Sequence, residues 1–397
     1  MLWSKIYCQL NKSAIQCCQS IQLNNAGLQL TKITLRNYAT EVKVVKKNRG
    51  IMKVALAGLA VGVAVGTGYS INYMNKPRGH IINEESAIPS IDEIPKIPPS
   101  RKIHFLGDRS GLKLTLFQYQ TCPFCCKVRA FLDYYGISYD IVEVDPVLRQ
   151  SIKWSPYKKV PILVAHLEDG YQPLNDSSMI ISALATYLTD SDKSISDVVK
   201  CFPVISYYDE NGSKKNEIMN KYFVMTTNQT GVTAIDDSKS EERKWRKWAD
   251  SVLVHTLSPN VYRTKEEALQ AFHWFSEVGE WEKNFPSWER NLIIYMGAAA
   301  MWMIGKRLKK RHQLKDDVRQ SLYDECNVWT RALKVKGTPF MGGDTPNLAD
   351  LSVYGVLNSI EGCTAFRDLL DNTKIGEWYF SMKKAVLQHE GAQLITV

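Results

Sequence analysis

Beyond residue 53 the chain has almost no excess charge of either sign. Of its 50 Lys plus Arg and 41 Asp plus Glu, nine bases and one acid, Glu41, fall within residues 1–53, which leaves 41 bases and 40 acids for the rest. That balance argues against a basic body built to follow a nucleic-acid backbone. Also missing downstream of Cys126 is a second close Cys/Cys or Cys/His pair, without which the Cys122–Cys125 spacing does not complete a four-ligand zinc site, and no metal ligand set is read. Nine cysteines, an odd number with three crowded at Cys122, Cys125 and Cys126, do not make a secreted disulfide framework, so reduced thiols are expected. Long uncharged runs are few: Val54–Asn75 spans 22 residues, whereas Asn291–Gly305 has 15, too short to cross a bilayer and read as a buried helix. What is present, 45% hydrophobic and 23% charged side chains, supplies apolar material for two compact cores.

The basicity belongs to a leader, residues 1–53. Its first 40 residues hold Lys5, Lys12, Lys32 and Arg36, no acid and many Ser, Gln, Asn and Thr, a mitochondrial-presequence composition, and Arg36-Asn37-Tyr38-Ala39 resembles a matrix-protease cleavage site. Residues 54–75 are read as a single membrane-spanning helix, since at about 1.5 Å per residue such a run crosses a hydrocarbon layer roughly 30 Å thick. Gly58, Gly62 and Gly66 line one face of it and would allow close packing with another helix. Residues 76–101 form a Pro-rich linker, with Pro89, Pro95, Pro98 and Pro99 expected to hold the body off the bilayer.

The chemistry concentrates in residues 102–190. Leu112–Phe117 alternates like a strand and leads through Tyr119-Gln120-Thr121 into Cys122-Pro123-Phe124-Cys125 and a helical pattern. Cys122 therefore falls at a helix start, where free backbone N–H groups and the dipole favour a thiolate. Pro123 suits the first turn, and Cys125 sits one turn on, placed to resolve a mixed disulfide or to hydrogen-bond the first sulfur. Cys126 faces elsewhere and is assigned to packing, as are the isolated Cys201, Cys326 and Cys363. Tyr139–Val144 and Ile162–Val164 supply further strands, the latter opened by Pro161, which suits a cis peptide that leaves the Val160 backbone free for an extended ligand. Asp176 or Ser177 then caps a helix whose exposed N–H groups can bind a carboxylate.

Residues 191–238 read as an inserted linker with a hairpin turning at Asp209-Glu210-Asn211-Gly212. Residues 239–397 read as helical. They hold eight of the ten tryptophans, with Trp245, Trp248, Val252 and Thr256 at core-facing spacing, a capping box at Thr264–Glu267, and a capped helix at Asn347–Asp350. The basic run Lys306–Arg311 reads first as a solvated helix end and second as a contact for anionic headgroups.

The Cys-Pro-Phe-Cys turn, the proline-initiated strand and the Asp-Ser helix start together resemble the glutaredoxin and glutathione-transferase N-terminal domain. The fold class expected is thus an α/β thioredoxin-like (glutaredoxin) domain followed by an all-α glutathione-transferase-like C-terminal domain, behind one membrane-spanning helix. The string Thr121–Leu132, with Lys159–Val164, Leu174–Ser178, Ser258–Thr264, Tyr295–Ala300 and Pro339–Gly343, resembles more narrowly the membrane-associated type 2 prostaglandin E synthases. That resemblance implies an isomerase converting prostaglandin H2 to prostaglandin E2 as a membrane-associated homodimer. It further implies glutathione, with haem held through the glutathione sulfur. On matching positions Cys122 is the essential thiol, Tyr119 and Phe124 line its pocket, Cys125 neighbours it, and Val160, Asp176 and Ser177, with Pro161 beside them, hold glutathione. It places the protein in the Golgi membrane with a cytosolic body, whereas the leader favours a mitochondrial membrane. Two other classes fit the same residues: a thiol–disulfide oxidoreductase acting on glutathione mixed disulfides, and a membrane-tethered haem or glutathione binding module.

Overall fold

The computed structural model describes residues 81–189, 193–209, 212–227, 233–235 and 239–395. The leader and the 54–75 run lie outside the described residues; among those described, no helix is long and apolar enough to cross a membrane. Within Lys76–Val397 the chain packs as one unit.

A five-stranded sheet carries the thiol-bearing half. Its strands are β2 (Arg101–Ile103), β3 (Leu114–Gln118), β4 (Tyr139–Glu143), β5 (Ile162–Leu167) and β6 (Gly170–Asn175), arranged in the order β2-β4-β3-β5-β6, while β1 (Ile81–Ser86) lies in a separate sheet. Strands β3 and β4 are parallel and joined by helix α1 (Pro123–Tyr134), whereas β3, β5 and β6 run antiparallel, β6 leading into helix α2 (Ser177–Thr189). This is the expected thioredoxin-like layout. Alternation along the strands gives the sheet two apolar faces. Leu114, Leu116, Ile141, Leu163 and Leu174 join the main core under the helices, while Phe117, Val142, Ile162 and Val164 form a second cluster. Ile94 and Ile97 of the proline-rich stretch pack on that second face, and Ile91 exchanges backbone hydrogen bonds with Tyr171. This part of the stretch therefore covers the sheet instead of reaching away from it. Its prolines withhold no needed ladder donor there, because the prolines stand outside the strands.

After the short α3 (Ile195–Val199), strands β7 (Val204–Tyr208) and β8 (Lys214–Ile218) make the hairpin foreseen at Asp209–Gly212, with β1 paired on β7. A further pair, β9 (Met225–Thr227) and β10 (Thr233–Ile235), precedes the helical half. That half runs α4 (Ser240–Trp248), α5 (Val254–Val261), α6 (Lys265–Val278), α7 (Trp281–Asn284), α8 (Ser287–Leu292) and α9 (Ala298–Arg311), then α10 (Val318–Lys336), α11 (Leu348–Asn358), α12 (Thr364–Asn372) and α13 (Ile375–Leu387). Trp245, Trp248 and Trp378 all lie against the buried Trp329 ring, at centroid distances of 5.2, 6.2 and 5.2 Å.

Two expectations about this half need correction. Val252 is exposed, because a π turn over Ala249–Leu253 joins α4 to α5 and shifts the apolar stripe by a residue, so that Leu253 is buried in its place. Asn291–Gly305 is not a buried helix: a second π turn, Ile293–Gly297, turns Ile293, Ile294 and Ala298 inward and leaves Leu292, Tyr295, Met296 and Met303 exposed. Cys326 and Cys363 are buried as expected, while Cys201 is only half-buried.

The two halves share a core through α1 and α11. Asn347 caps α11, accepting from Ala349 N and Asp350 N, and buried Asp350 accepts from Met341 N, Gly342 N and Trp378 Nε1. Gly355 is the point of closest approach, where a Cβ would lie 2.5 Å from Lys127 Cα and 2.9 Å from Cys126 C. Since those neighbours are backbone, Gly355→Ala must push the two helices apart, and we expect a loss of about 1–3 kcal/mol, read as a lower urea midpoint at unchanged slope. An unaltered midpoint would contradict this packing.

Candidate functional site

Cys122 is the N-cap of α1, with Pro123 in the first turn. Its N–H donates to Tyr119 O at 3.1 Å, closing the turn out of β3, and Cys126 N donates to Cys122 O at 2.9 Å. Three cysteines within five positions meet three different environments. Cys122 is half-buried, while Cys125 and Cys126 are buried. Hydrogen bonding by the Cys125 side chain is the largest influence on Cys122 and lowers its pKa against the opposing effect of burial, helped by the backbone N–H groups of Cys125 and Phe124 and by the Arg129 cation. Burial, then the same thiol–thiolate bond, raises Cys125 well above the ordinary thiol value. Burial pushes Cys126 up to about 11; its thiol donates to Gln120 O, and Arg129 donates to its sulfur. The cluster therefore offers one thiolate.

The loop before Cys122 is clamped from two sides. Arg129, buried in α1, donates to Gln118 Oε1 and Gln120 O, while Glu143 of β4 accepts from Gln120 N at 2.6 Å and Gln118 Nε2 at 3.1 Å. Tyr119 sits half-buried beside the thiols, and burial raises its pKa against the pull of Arg149, so its phenol stays a proton donor at neutral pH.

Phe124, Val160, Pro161, Asp176 and Ser177 line one cavity of about 370 Å³, with Tyr157, Tyr222 and Asp250 also in its wall. That volume lies within the range of small-ligand sites. The Val160–Pro161 peptide is cis. Of the two capping candidates Asp176 is the one used: it adopts φ +70°, its Oδ1 accepts from Ser178 N at 2.9 Å, and its Oδ2 pairs with Lys221 at 3.3 Å. Tyr157 is in the cavity wall, and its pKa is raised first by burial and then by the charges of Asp176, Cys125 and Cys122.

Beneath Ser177 lies a buried cation. Lys127 Nζ donates to Ser177 Oγ (3.3 Å), Ser178 Oγ (3.0 Å) and Asp250 Oδ1 (2.5 Å), and Asp250 also accepts from Ser178 Oγ and Tyr222 OH. Burial alone would raise the Asp250 carboxyl, but Lys127 and the two hydroxyls outweigh it and hold it below its ordinary 3.8. Sequence reading missed Lys127, Arg129, Tyr157, Tyr222 and Asp250. Lys127 and Arg129 could have been flagged as charges inside an apolar helix. Asp250, 123 residues from Lys127, gave no signal.

Residues 116–187 match the family model of the glutathione S-transferase N-terminal domain. The chain is 52% identical over 282 residues to Prostaglandin E synthase 2 of Danio rerio, covering 70% of this chain and 72% of that protein. The chain belongs to the prostaglandin E synthase 2 family. A second family member, from Mus musculus, is 49% identical over 279 residues, covering 70% of this chain and 71% of that one. Among solved structures, apo glutathione S-transferase III aligns with 72% of this chain and 98% of its own at 14% identity and a TM-score of 0.37, too low to bear on fold or function.

Two measurements test the site. In the pH dependence of iodoacetamide labelling, Cys122 should titrate below the ordinary thiol value, and Cys125→Ala should move that midpoint up by about one unit, while Cys125→Ser, which keeps a donor, moves it less. An unmoved midpoint in Cys125→Ala would remove the thiol donor as the cause. Asp250→Asn leaves the Lys127 ammonium buried without a counter-charge and should cost about 3–5 kcal/mol at neutral pH. Because the Asp250 pKa is depressed by folding, the stability that it contributes is present above its unfolded value near 3.8 and fades as pH falls through the folded value. The difference between wild type and Asp250→Asn in urea unfolding should therefore shrink in acid.

Proposed function

We propose that the chain is a prostaglandin E synthase, an isomerase that converts prostaglandin H2 to prostaglandin E2 at Cys122 with glutathione in the adjoining cavity. The observation that carries this reading is a half-buried Cys122 with a lowered pKa at a helix start, two residues before Phe124 in the wall of a cavity that ends at a second helix start and that Cys122, Tyr119 and Cys125 do not themselves line. The endoperoxide O–O bond is weak. The Cys122 thiolate attacks the oxygen on C9, the O–O bond breaks, and the oxygen on C11 leaves as an alkoxide that takes the proton offered by Tyr119. Loss of the C9 proton to a base then forms the C9 carbonyl as the S–O bond breaks, returning the thiolate. One proton is taken up and one released, and no net reductant is consumed.

Glutathione suits the cavity in its chemistry. At the helix start the Asp176 carboxylate takes the Ser178 and Met179 N–H groups and could pair with a ligand ammonium, Lys159, Lys221 and Lys247 supply cations for a carboxylate, Val160 lies just before β5 for an extended backbone, and Phe124 and Tyr157 supply apolar walls. Haem belongs to the proposal only through the sulfur of bound glutathione, where the iron could divert the endoperoxide to fragmentation; the cavity wall offers it no histidine or methionine, and Lys159, Lys221 and Lys247 could pair with its propionates. Attachment to a membrane through residues 54–75 and homodimer formation complete the proposal. The location follows from the family (Golgi) or from the leader (mitochondrial).

A second reading is favoured by the Cys122–Cys125 pair, in which Cys125 stands one turn into the helix that Cys122 starts and is the side chain that lowers the Cys122 pKa most. It predicts thiol–disulfide exchange on glutathione mixed disulfides. Product analysis separates the two. With prostaglandin H2, Cys122→Ser should lower prostaglandin E2 formation at least about 100-fold and Tyr119→Phe by about the same order, while Cys125→Ser retains most turnover. If Cys122→Ser turns over prostaglandin H2 normally, the proposed mechanism fails; if only deglutathionylation of a peptide is lost, the second reading replaces it.

A further inference from the structure

Helix α8, the π turn Ile293–Gly297 and α9 run on without a break from Ser287 to Arg311. One side of this helix is seated on the body: Ile293, Ile294 and Ala298 are buried, and a Cβ on Gly297 would lie 2.5 Å from the Phe272 ring. The opposite side of a surface helix is ordinarily polar. Here it presents Trp288 (63% exposed), Leu292 (43%), Tyr295 (57%), Met296 (62%) and Met303 (55%). A contiguous apolar face of this kind on a folded body marks a contact surface.

The charges say which contact. From Ser287 to Arg311 the only acid is Glu289, which is buried, whereas Lys306, Arg307, Lys310 and Arg311 are exposed at the C-terminal end of the same helix. Among the described residues, Lys309 pairs with Asp316 and no other cation of the 306–311 run has an acidic partner. Lys306 Nζ instead lies 3.8 Å from the centre of the Trp302 ring, with Lys265 Nζ at 4.9 Å. Apolar side chains with Trp and Tyr, followed by cations and with no exposed acid on the helix itself, are the composition of a helix lying in a bilayer interface. The acids nearest this face, Glu277, Glu280 and Glu282, gather at its N-terminal end around Tyr295 and Arg290, away from the 306–311 cations, so that a second copy packed antiparallel is the rival that the test below separates.

We propose that the exposed face of the 287–311 helix is a lipid-contact surface that seats on an anionic leaflet, the side chains from Trp288 to Met303 entering the headgroup boundary and the 306–311 cations meeting the lipid charges. This contact is separate from the thiol chemistry and from the 54–75 run.

The test is oxidative footprinting of the full chain, incubated with vesicles of phosphatidylcholine alone or of phosphatidylcholine with phosphatidylserine, read by mass spectrometry at Met296 and Met303. Expected is at least about fivefold slower oxidation with the serine-lipid vesicles, lost in about 0.5 M salt and in the quadruple variant Lys306→Gln/Arg307→Gln/Lys310→Gln/Arg311→Gln. These substitutions are on exposed side chains, and unchanged Cys122 labelling serves as the check on folding. Equal oxidation with both vesicles overturns the proposal. So does protection that follows protein concentration and ignores lipid charge, which would assign the face to a second copy of the chain.

Discussion

A charge taken out of water has to be matched, and one helix of this chain carries two such obligations within a turn and a half. At its start α1 holds the Cys122 sulfur, whose negative form is met by the Cys125 thiol, by two backbone N–H groups and by Arg129. At its fifth residue it carries the Lys127 ammonium into the interior, where Asp250 of the helical half meets it. The second pairing fixes what the first can do. Lys127 grips Ser177 and Ser178 as well as Asp250, so the start of α2, the start of α1 and the π turn after α4 are held to one cation. Such a pair need not add stability over an apolar substitute, yet breaking it from one side is expensive, and that asymmetry ties the two halves into one arrangement.

The fate of the three clustered cysteines follows from where the helix places them. Cys122 is outside the first turn and keeps solvent on one side. Cys125 and Cys126 are inside, and a buried thiol resists ionising because the low-dielectric surroundings penalise the anion. Burial does most to raise Cys125, and its hydrogen bonding to Cys122 adds to that rise while lowering Cys122. Cys126, with its thiol on Gln120 O and Arg129 on its sulfur, is a packing residue in the loop clamp.

How much of this the sequence discloses depends on the range of the interaction. Turn and cap chemistry is local, and Cys122-Pro123-Phe124-Cys125, Val160-Pro161 and Asp176-Ser177 could be placed from a handful of neighbouring residues; the fold class was legible for the same reason. The Asn347–Asp350 cap and the β7–β8 hairpin belong with them. Contacts between distant segments leave no local trace. Asp250 reads as an ordinary helical acid until α4 is docked on α2, and Lys127 and Arg129, although they interrupt an apolar pattern, do not reveal their partners until the distant segments pack on α1. The π turns are a third kind of loss. Each inserts one residue into the helical repeat, so a periodicity counted at 3.6 assigns the wrong side to Val252, while in the 291–305 run the lack of charge suggested burial for residues that the turn leaves exposed.

Isomerisation and thiol–disulfide exchange make different demands on the same sulfur, and the geometry distinguishes them by degree. Exchange that resolves through Cys125 needs that residue to become a thiolate in its turn, which its burial opposes. Isomerisation of an endoperoxide needs Cys125 only as a donor that releases the Cys122 sulfur when the S–O bond breaks, and a donor is what a buried, high-pKa thiol provides. It also needs a proton at the second oxygen, for which a phenol kept protonated beside the thiol is suited. The arrangement thus separates one nucleophile from two proton donors by environment alone, and a reaction that returns both sulfurs unoxidised uses all three in the states in which folding leaves them.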